Sequence, residues 1–419
     1  MPTTRLWRAA AAIITLATGI AGCDLLGSRP LQPDAKWHER ALVDGHLAHW
    51  LAVAPSETGF LRASVTRAWQ PRDQKATDLV TQSRLIYVLL SGYEVTGDSR
   101  YLVAARRGAD FLLRYFPDTV HGGLFRVVDT EGHVVSDSKH TYGHAFAIFA
   151  LAHAYRVTKD ERYSSAAFAT WRAVRANLRD SAGGFRPEAP RDFSGDEAGS
   201  RTQNPVMHLF EALLALYDAT GDPEALAGAR GIGDFVVYRL LHGLPDGGAY
   251  IAERYDAKWE PLPESGSGNI DLGHQFEWVY LLNSSEERGL PTVYTAVAQR
   301  LLDYAIRVGY DEQAGGCFNV AYTDGKVVRE KGYWQQSECL RTLMRYAALY
   351  GKPDMTRRYE QTLALVQDEL IDPVNGGWFI MTKRSCVHLT CPDEQPDAYH
   401  MTAMHREALA LAARAKANR

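Results

Sequence analysis

The sequence predicts an all-α protein: an (α/α)6 barrel in which about twelve helices form a ring of six hairpins joined by glycine-rich loops. Three observations predict this fold. A glycine segment recurs six times at intervals of 61 to 68 residues, and the residues between the copies have a helical period. The first and last predicted helices, near residues 37–51 and 399–415, have no hairpin partner in sequence and can pair with each other. An open superhelical solenoid, which would serve as a binding scaffold, is the alternative.

The N-terminal segment predicts a lipoprotein signal peptide over residues 1–22. Arg5 and Arg8 precede a short, mostly apolar stretch, which ends in Ile20-Ala21-Gly22-Cys23 and resembles a bacterial lipobox. The stretch is shorter than a stable membrane span, so it is typical of an export signal. An ordinary secretory signal followed by a chance cysteine is the alternative.

Lipidation at Cys23 would divide the chain into three parts. We expect residues 23–35 to be the lipidated cysteine and a tether, and residues 36–419 to form the barrel domain. The protein is then a lipoprotein of the bacterial cell envelope, periplasmic or extracytoplasmic, that contacts the membrane only through its lipid anchor. Cys386 and Cys391 bracket a short loop, and such a compartment permits a disulfide between them.

Composition and charge exclude several classes of protein. With 46% hydrophobic and 23% charged residues, the chain has an ordinary globular balance, which disfavours disorder, collagen and a coiled coil. The formal net charge is −4. Because no basic excess is available to neutralise a phosphate backbone, we expect no nucleic-acid partner.

The recurring segment is a pair of glycines followed by an apolar or aromatic residue, with a degenerate first copy that has a single glycine. The copies begin at Gly59, Gly122, Gly183, Gly247, Gly315 and Gly376. A fixed period of this kind is typical of architectures built from one repeated supersecondary unit. The repeats cover nearly the whole chain after Cys23.

The segment between two glycine copies predicts a helical hairpin. Residues 145–155 are apolar almost all round, as a helix buried on both sides must be, and residues 161–178 are amphipathic. The polar turn Thr158-Lys159-Asp160 joins them, and it returns as Thr96-Gly97-Asp98 and Thr220-Gly221-Asp222. Glycine suits the left-handed end of one helix, and aspartate caps the start of the next. Each repeat is therefore expected to be a hairpin followed by a glycine loop with a short strand.

An ionisable residue follows each glycine copy after 22 to 27 residues, near the start of a predicted inner helix. These residues are Arg84, His144, His208, His274, Glu338 and His400. A polar side chain on an apolar inner helix is costly to bury unless it is paired or used. The inner helices of a closed ring start at the same end, so we expect the six side chains to converge on one pocket.

Some of these residues have a second polar residue three positions later, on the same helix face. The second residues are Tyr87, Glu211 and Glu277. A glutamate at this spacing can orient a histidine and raise its basicity, or it can be a purely structural partner. His144 has the alternative of a hydrogen-bonded core residue. We expect His153 and His405 to be structural residues on outer or hydrated faces.

Five segments carry recognisable motifs, in order and along nearly the whole chain after Cys23. They span residues 82–87, 204–212, 216–221, 273–278 and 334–338, and include Asn-Pro-Val-Met-His-Leu-Phe-Glu-Ala, Gly-His-Gln-Phe-Glu-Trp and Trp-Gln-Gln-Ser-Glu. They resemble the N-acylglucosamine 2-epimerase superfamily. The resemblance implies a cofactor-independent sugar epimerase or isomerase whose partner is a monosaccharide or a short reducing saccharide.

The resemblance also implies roles for individual residues. His274 and His400 are the expected catalytic acid–base pair. The expected substrate-binding residues are Arg84, Tyr87, His144, His208, Glu211, Glu277, Trp334 and Glu338. The segment at 397–400, Asp-Ala-Tyr-His, is closer to the mannose isomerase and sulfoquinovose isomerase branch than to the epimerases, in which Pro-Arg soon follows the histidine.

These residues suit proton transfer next to a carbonyl group. Abstracting a proton alpha to a carbonyl needs a base with a near-neutral pKa, which histidine provides, and Arg84 with His208 could stabilise the enediolate. We therefore expect aldose–ketose isomerisation at C1 and C2 of a mannose-like sugar. A sugar 2-epimerase is the nearest alternative.

Two more distant functions stay open. Carboxylate pairs in an (α/α)6 ring also occur in glycoside hydrolases and lyases, and Glu211, Glu277, Glu338 and Asp271 would be the candidates here. A sugar-binding or metal-binding lipoprotein is the other alternative, because two His-x-x-Glu pairs could build a four-ligand site. The di-iron bundle motif has the reverse order, Glu-x-x-His, so we assign no metal ligand.

Overall fold

The structure is a computed structural model that describes residues 30–195, 199–262, 269–387, 389 and 391–417. The predicted signal peptide, Cys23 and most of the predicted tether lie outside these residues. None of the described helices is long and apolar enough to span a membrane.

The described chain forms six pairs of helices, and each pair contributes one outer and one inner helix to the ring. The first outer helix is α1 (Ala35–Leu42), which continues through a π-helical turn (Val43–Leu47) into α2 (Ala48–Val53). The other outer helices are α4 (Ser99–Tyr115), α6 (Glu161–Asn177), α8 (Pro223–Phe235), α10 (Val293–Gly309) and α12 (Pro353–Leu365). The inner helices are α3 (Leu79–Thr96), α5 (Thr141–Thr158), α7 (Gln203–Thr220), α9 (Leu272–Ser285), α11 (Tyr333–Tyr350) and α14 (Tyr399–Ala417). Further π-helical turns, Val236–Leu240 and Val366–Leu370, extend α8 and α12.

The ring is closed. Each inner helix packs on the next one along the chain from α3 to α14, and α14 packs back on α3. Helix α1 packs on α14, and these are the two helices that have no hairpin partner in sequence. The (α/α)6 barrel is thereby confirmed, and the open solenoid is excluded.

Two histidines lie in the contact that closes the ring. Nδ1 of His38 is 2.9 Å from Nδ1 of His405, and Nε2 of His38 is 2.9 Å from Oη of Tyr359. Burial lowers the pKa of His38 to about 4 and that of His405 well below its usual value. The prediction of an outer or hydrated face is wrong for His405, because packing against α1 buries it completely.

The turns inside the hairpins have the predicted caps. Gly97 ends α3 with a φ of 71°, and its N–H donates to the carbonyl oxygen of Tyr93. The side chain of Asp98 then accepts from the N–H of Arg100 at the start of α4. Asp160 and Asp222 cap α6 and α8 in the same way. This end of the barrel is therefore formed by tight polar turns.

The glycine loops lie at the opposite end, where the inner helices begin. In three of these loops an aspartate accepts backbone N–H groups within the loop and pairs with a cation that precedes the next inner helix. Nζ of Lys139 donates to Oδ2 of Asp118 over 2.9 Å, with both side chains fully buried. Arg201 pairs with Asp180, and Lys331 pairs with Asp311. These ion pairs connect consecutive repeats around the mouth of the barrel.

Short antiparallel strands complete the mouth, as the sequence predicts. The strands are β1 (Ala76–Asp78), β2 (Val127–Asp129), β3 (Val134–Ser136), β4 (Lys139–His140), β5 (Glu188–Ala189), β6 (Arg201–Thr202), β7 (Leu241–Gly243), β8 (Ala249–Ile251), β9 (Arg254–Tyr255), β10 (Asn269–Asp271), β11 (Val320–Tyr322) and β12 (Val327–Val328). They form the sheets β1-β2-β3 and β10-β11-β12 and the pairs β4-β5, β6-β9 and β7-β8. Thr77 lies opposite Val128, and Ile270 lies opposite Ala321. Every sheet except the hairpin β7-β8 joins one repeat to another, so the strands connect neighbouring repeats around the mouth.

The predicted disulfide is present. Cys386, which ends the short helix α13 (Lys383–Cys386), is bonded to Cys391, and their Cα atoms are 5.5 Å apart. Among the described residues, Cys317 and Cys339 are free and buried.

Candidate active site

Five inner helices start in register, and this places one layer of side chains in the lumen of the ring. The sixth residues of α3, α5, α7, α9 and α11 are Arg84, Phe146, His208, Glu277 and Glu338. One turn further along, the ninth residues are Tyr87, Phe149, Glu211, Tyr280 and Arg341. Neighbours in the first layer touch: the guanidinium of Arg84 is 4.2 Å from the ring centroid of Phe146, and that ring is 4.7 Å from His208. The expected convergence is therefore largely correct.

His144 is the exception, because both of its ring nitrogens are bound to the backbone. It is the fourth residue of α5, and its Nε2 accepts from the N–H of Leu124 over 2.9 Å. Its Nδ1 is 2.9 Å from the carbonyl oxygen of His140, so both nitrogens are bound to the backbone and the side chain is fully buried. Gln82, Gln275 and Gln336 are the fourth residues of their helices and bind their own glycine loops in the same way. His144 is thus the structural member of this series, and Phe146 occupies the lumen position.

Arg84 is fixed by two hydrogen bonds at the mouth of the lumen. Its Nη1 donates to Oδ2 of Asp397 over 2.9 Å, and its Nη2 donates to Oη of Tyr142 over 2.7 Å. Although burial opposes it, Arg84 lowers the pKa of Asp397. A cavity of about 440 Å³ adjoins these three side chains. Arg84 is therefore a positioned cation beside a space that a small ligand can enter.

His274 is a buried histidine that carries its proton at neutral pH. Its Nδ1 lies 2.8 Å from Oε2 of Glu253, which also accepts from Nε2 of Gln203 over 3.0 Å. Burial opposes the charged ring, but the carboxylates of Glu253 and Asp271 raise the pKa of His274 to about 10. The predicted orientation of His274 by Glu277 is wrong, because Glu253 takes that place.

His400 has the opposite protonation state. Its Nδ1 lies 2.8 Å from Oε1 of Glu338, whose other oxygen accepts from Nη1 of Arg341 over 3.3 Å. Burial lowers the pKa of His400 well below its usual value and raises that of Glu338 to about 7. At neutral pH, His400 is therefore an uncharged ring that can accept a proton.

Trp334 lies between the two histidines. Its ring centroid is 4.9 Å from that of His274 and 5.3 Å from that of His400. Both histidines make their carboxylate contact through Nδ1, and within the described parts of the chain neither Nε2 has a hydrogen bond. Two titratable rings with separated pKa values on one aromatic platform can serve as an acid and a base.

The predicted His208–Glu211 pair is present. Nδ1 of His208 is 3.1 Å from Oε2 of Glu211, and the hydroxyl of Tyr399 donates to the same oxygen. Glu277, on the neighbouring inner helix, is fully buried, and neither of its oxygens has a hydrogen-bond partner among the described residues. Burial, together with Glu338 and Glu211, raises the pKa of Glu277 well above its usual value. Glu277 thus offers a protonated carboxyl group to a ligand.

Tyr87 lies one turn deeper than Arg84. Its ring centroid is 4.9 Å from that of Phe149 and 5.8 Å from that of Tyr399. Behind this aromatic layer a second cavity, of about 200 Å³, adjoins Glu211, Arg341 and the half-buried His153. Tyr87 therefore contributes to the floor of the site.

Several residues of the site could not be found from the repeat pattern. Glu253 lies in a loop before β9, outside the inner helices, so no helical spacing points to it. Tyr142 is the second residue of α5 and looks like an ordinary helix start. Arg341 does have a signal, since it stands three positions after Glu338, as Glu211 does after His208. The same i, i+3 criterion would have identified it.

Comparisons with known proteins find related sequences along most of the chain. Residues 59–404 match the family model described as N-acylglucosamine 2-epimerase (GlcNAc 2-epimerase). A cellobiose 2-epimerase of Eubacterium cellulosolvens is 23% identical over 368 residues, which are 82% of this chain and 90% of the relative. A D-mannose isomerase of Marinomonas mediterranea is 26% identical over 326 residues, which are 73% of this chain and 79% of the relative.

A solved structure has the same fold. The crystal structure of a D-mannose isomerase superposes with a TM-score of 0.79 at 22% sequence identity, covering 90% of this chain and 97% of the other. At this identity the likeness shows the architecture of the barrel.

Proposed function

The chain belongs to the N-acylglucosamine 2-epimerase family, an enzyme family of sugar isomerases and epimerases, and from this premise we propose that it is an aldose–ketose isomerase acting at C1 and C2 of a mannose-like sugar. One observation carries the proposal: a protonated His274 and a neutral His400 flank Trp334. The D-mannose isomerase relative and the Asp-Ala-Tyr-His segment at 397–400 support the choice of an isomerase.

The resting protonation states suit the opening of a cyclic sugar. His400 takes the proton of the C1 hydroxyl while His274 gives a proton to the ring oxygen, so that the bond between C1 and the ring oxygen breaks and the C1 carbonyl forms. The resting states make both transfers possible, since His274 holds a proton to give and the uncharged His400 can receive one. His274 is then neutral and His400 is charged.

After ring opening, the neutral His274 and the charged His400 have the protonation states that the isomerisation needs. Neutral His274 removes the proton from C2, the electrons move to form the C1–C2 double bond, and His400 protonates O1 to give an enediol. His400 then takes the proton from O2 while His274 returns its proton to C1, which leaves a carbonyl group at C2. Closure of the ketose ring restores the resting states, because the attacking hydroxyl gives its proton to His274 while His400 gives its proton to the C2 carbonyl oxygen, so no external acid, base or oxidant is consumed.

Other lumen residues would hold the sugar and stabilise charge. Arg84 and His208 contact the same phenylalanine ring, so they can stabilise negative charge on one side of the bound sugar. The carboxyl group of Glu277 has no hydrogen-bond partner in the described part of the chain and can bind a sugar hydroxyl. Trp334 offers an apolar face, as aromatic rings in sugar sites do.

A screen of free aldoses and reducing disaccharides, read by NMR, tests the proposal. A ketose of unchanged mass is the expected product. An epimeric aldose would favour the second candidate, a sugar 2-epimerase, which the similarity to a cellobiose 2-epimerase supports. Cleavage of a disaccharide would instead favour hydrolysis.

We also propose that the protein is a lipoprotein anchored at Cys23, on the strength of the Ile20-Ala21-Gly22-Cys23 junction. The N–H of Leu31 donates to the carbonyl oxygen of Ala347 over 3.2 Å, near the last turn of α11 and away from the mouth. An anchor before Leu31 would therefore leave the mouth accessible. Cys23→Ala should release the protein from membranes. Unchanged fractionation, together with a wild type that carries no lipid mass, would contradict the anchor.

A further inference from the structure

Glu277 is a buried carboxyl group with no hydrogen-bond partner among the described residues, and its surroundings point to a second kind of ligand. The great majority of buried polar groups in proteins are hydrogen-bonded, so two carboxyl oxygens left without such a partner indicate a place where a ligand can bind. A sugar hydroxyl would satisfy it during turnover. The neighbouring side chains determine what else can bind there.

Ligand atoms of His208 and Glu211 converge on the same space. One atom from each of His208, Glu211 and Glu277 lies within 4.8 Å of the other two, and all three residues are buried. Glu211 uses only Oε2 for its bonds to His208 and Tyr399, which leaves Oε1 available. Imidazole and carboxylate are ligands that zinc prefers, and ligand atoms around a tetrahedral zinc ion lie about 3.4 Å apart. A small contraction of this triad would therefore enclose one ion.

A second triad shares Glu277 but suits a cation less well. Glu277, Glu338 and His400 are equally close together. Both oxygens of Glu338 are already bonded, one to His400 and one to Arg341, so a cation there would have to displace one of these bonds. The triad of His208, Glu211 and Glu277 is the better site.

We propose that His208, Glu211 and Glu277 bind one divalent cation of the zinc class, with the fourth position left to water, and that this ion inhibits the enzyme. The ion would occupy the carboxyl group that the proposed reaction offers to the sugar, so ion and sugar would compete. Inhibition rests on the proposed function, whereas binding of the ion does not.

An exposed cluster elsewhere supplies the matched control. Asp129, Glu131 and His133 also place ligand atoms within 4.8 Å of one another, but they lie at the surface beside β2. Such a cluster can take up zinc adventitiously. His133→Ala removes this cluster without touching the lumen.

The test is calorimetric titration of the chelator-treated full chain with zinc chloride, and separately with magnesium chloride. We expect one equivalent of zinc to bind to the wild type and to His133→Ala, and this event to be lost in Glu277→Gln and in His208→Ala, with helical circular dichroism unchanged. Magnesium should give no such event, because it prefers an octahedral set of oxygen ligands.

Two results would overturn the proposal. One is the absence of a zinc event in the wild type. The other is an event that disappears in His133→Ala and persists in Glu277→Gln, which means an adventitious ion only.

If zinc binds as expected but no sugar is converted, the metal site stands and the proposed isomerase function fails. If the wild type is active, rising sugar concentration should relieve zinc inhibition, and inhibition insensitive to sugar would contradict the competition.

Discussion

Nδ1 of His400 lies 2.8 Å from Oε1 of Glu338, and both side chains are buried between neighbouring inner helices. Nδ1 of His274 lies at the same distance from Oε2 of Glu253. The outcomes differ, because burial keeps His400 neutral whereas the carboxylates around His274 raise its pKa to about 10 in spite of burial. One histidine can therefore accept a proton while the other can give one, and the proposed reaction depends on this difference.

Removing either histidine should abolish most of the activity. We expect His274→Ala and His400→Ala each to lower kcat by about a hundredfold or more, the range for a positioned acid–base group. Steady-state kinetics measures this, and far-UV circular dichroism should be unchanged, because neither side chain is part of a glycine-loop contact. Full activity in either variant would show that the pair is wrongly assigned.

The carboxylate of Glu253 should set the alkaline limit of activity. In the proposed reaction the protonated His274 is the active form, and its raised pKa keeps it protonated well above neutral pH. Glu253→Gln removes a negative charge beside the ring and should move the alkaline limb of the pH profile of kcat/KM downwards by about 1–3 pH units.

Glu260→Gln is the control for this measurement. Glu260 is an exposed residue in the same part of the chain and pairs with Arg239. Its substitution should leave the alkaline limb unmoved. An identical pH profile for wild type and Glu253→Gln would show that the carboxylate does not hold the proton on His274.

His144 should affect stability and not catalysis. His144→Ala leaves the N–H of Leu124 and the carbonyl oxygen of His140 without their partner, and each unsatisfied buried group costs about 1–3 kcal/mol. His144→Gln should lose much less, because glutamine occupies the equivalent position in three other helices. Urea denaturation measures the stability, and KM of the folded variants should match the wild type. A raised KM in His144→Gln would restore the substrate-binding role.

Chelation should not reduce the activity. The proposed steps use histidines and Arg84 for proton transfer and charge stabilisation, and they need no metal ion. We expect turnover after treatment with EDTA to equal or exceed that of the untreated enzyme, the excess arising where zinc had been bound. Activity lost on chelation and restored by one divalent ion would contradict the proposed chemistry.

The architecture could be predicted from the sequence because each of its main features corresponds to a sequence pattern, most of which recur along the chain. The glycine period, the capped turns at Asp98 and Asp160 and the unpaired end helices each correspond to a feature of the ring. The residues of the lumen layer were harder to predict from the sequence. Counting from the glycines misplaced His144 by two residues, because the loops differ in length, whereas counting from the helix starts assigns Phe146 to the lumen.

The carboxylate partners of His274 and His400 could not be predicted from the sequence. Helical spacing suggested Glu277 as the partner of His274, but the loop before β9 brings Glu253 to its Nδ1. His400 binds Glu338 of another repeat, 62 residues away in the chain. Such contacts depend on how loops and neighbouring helices pack, and no local period encodes them.

Conversion of a mannose-like aldose in deuterated water, followed by NMR, tests the central claim most directly. In the proposed isomerase, His274 carries a proton between C2 and C1, so exchange with solvent should place deuterium at C1 of a ketose. We predict that product, and its absence in both histidine variants. An epimeric aldose labelled only at C2 would contradict the isomerase while leaving the two-histidine site intact. A ketose formed at the wild-type rate by His274→Ala or His400→Ala would contradict the site itself.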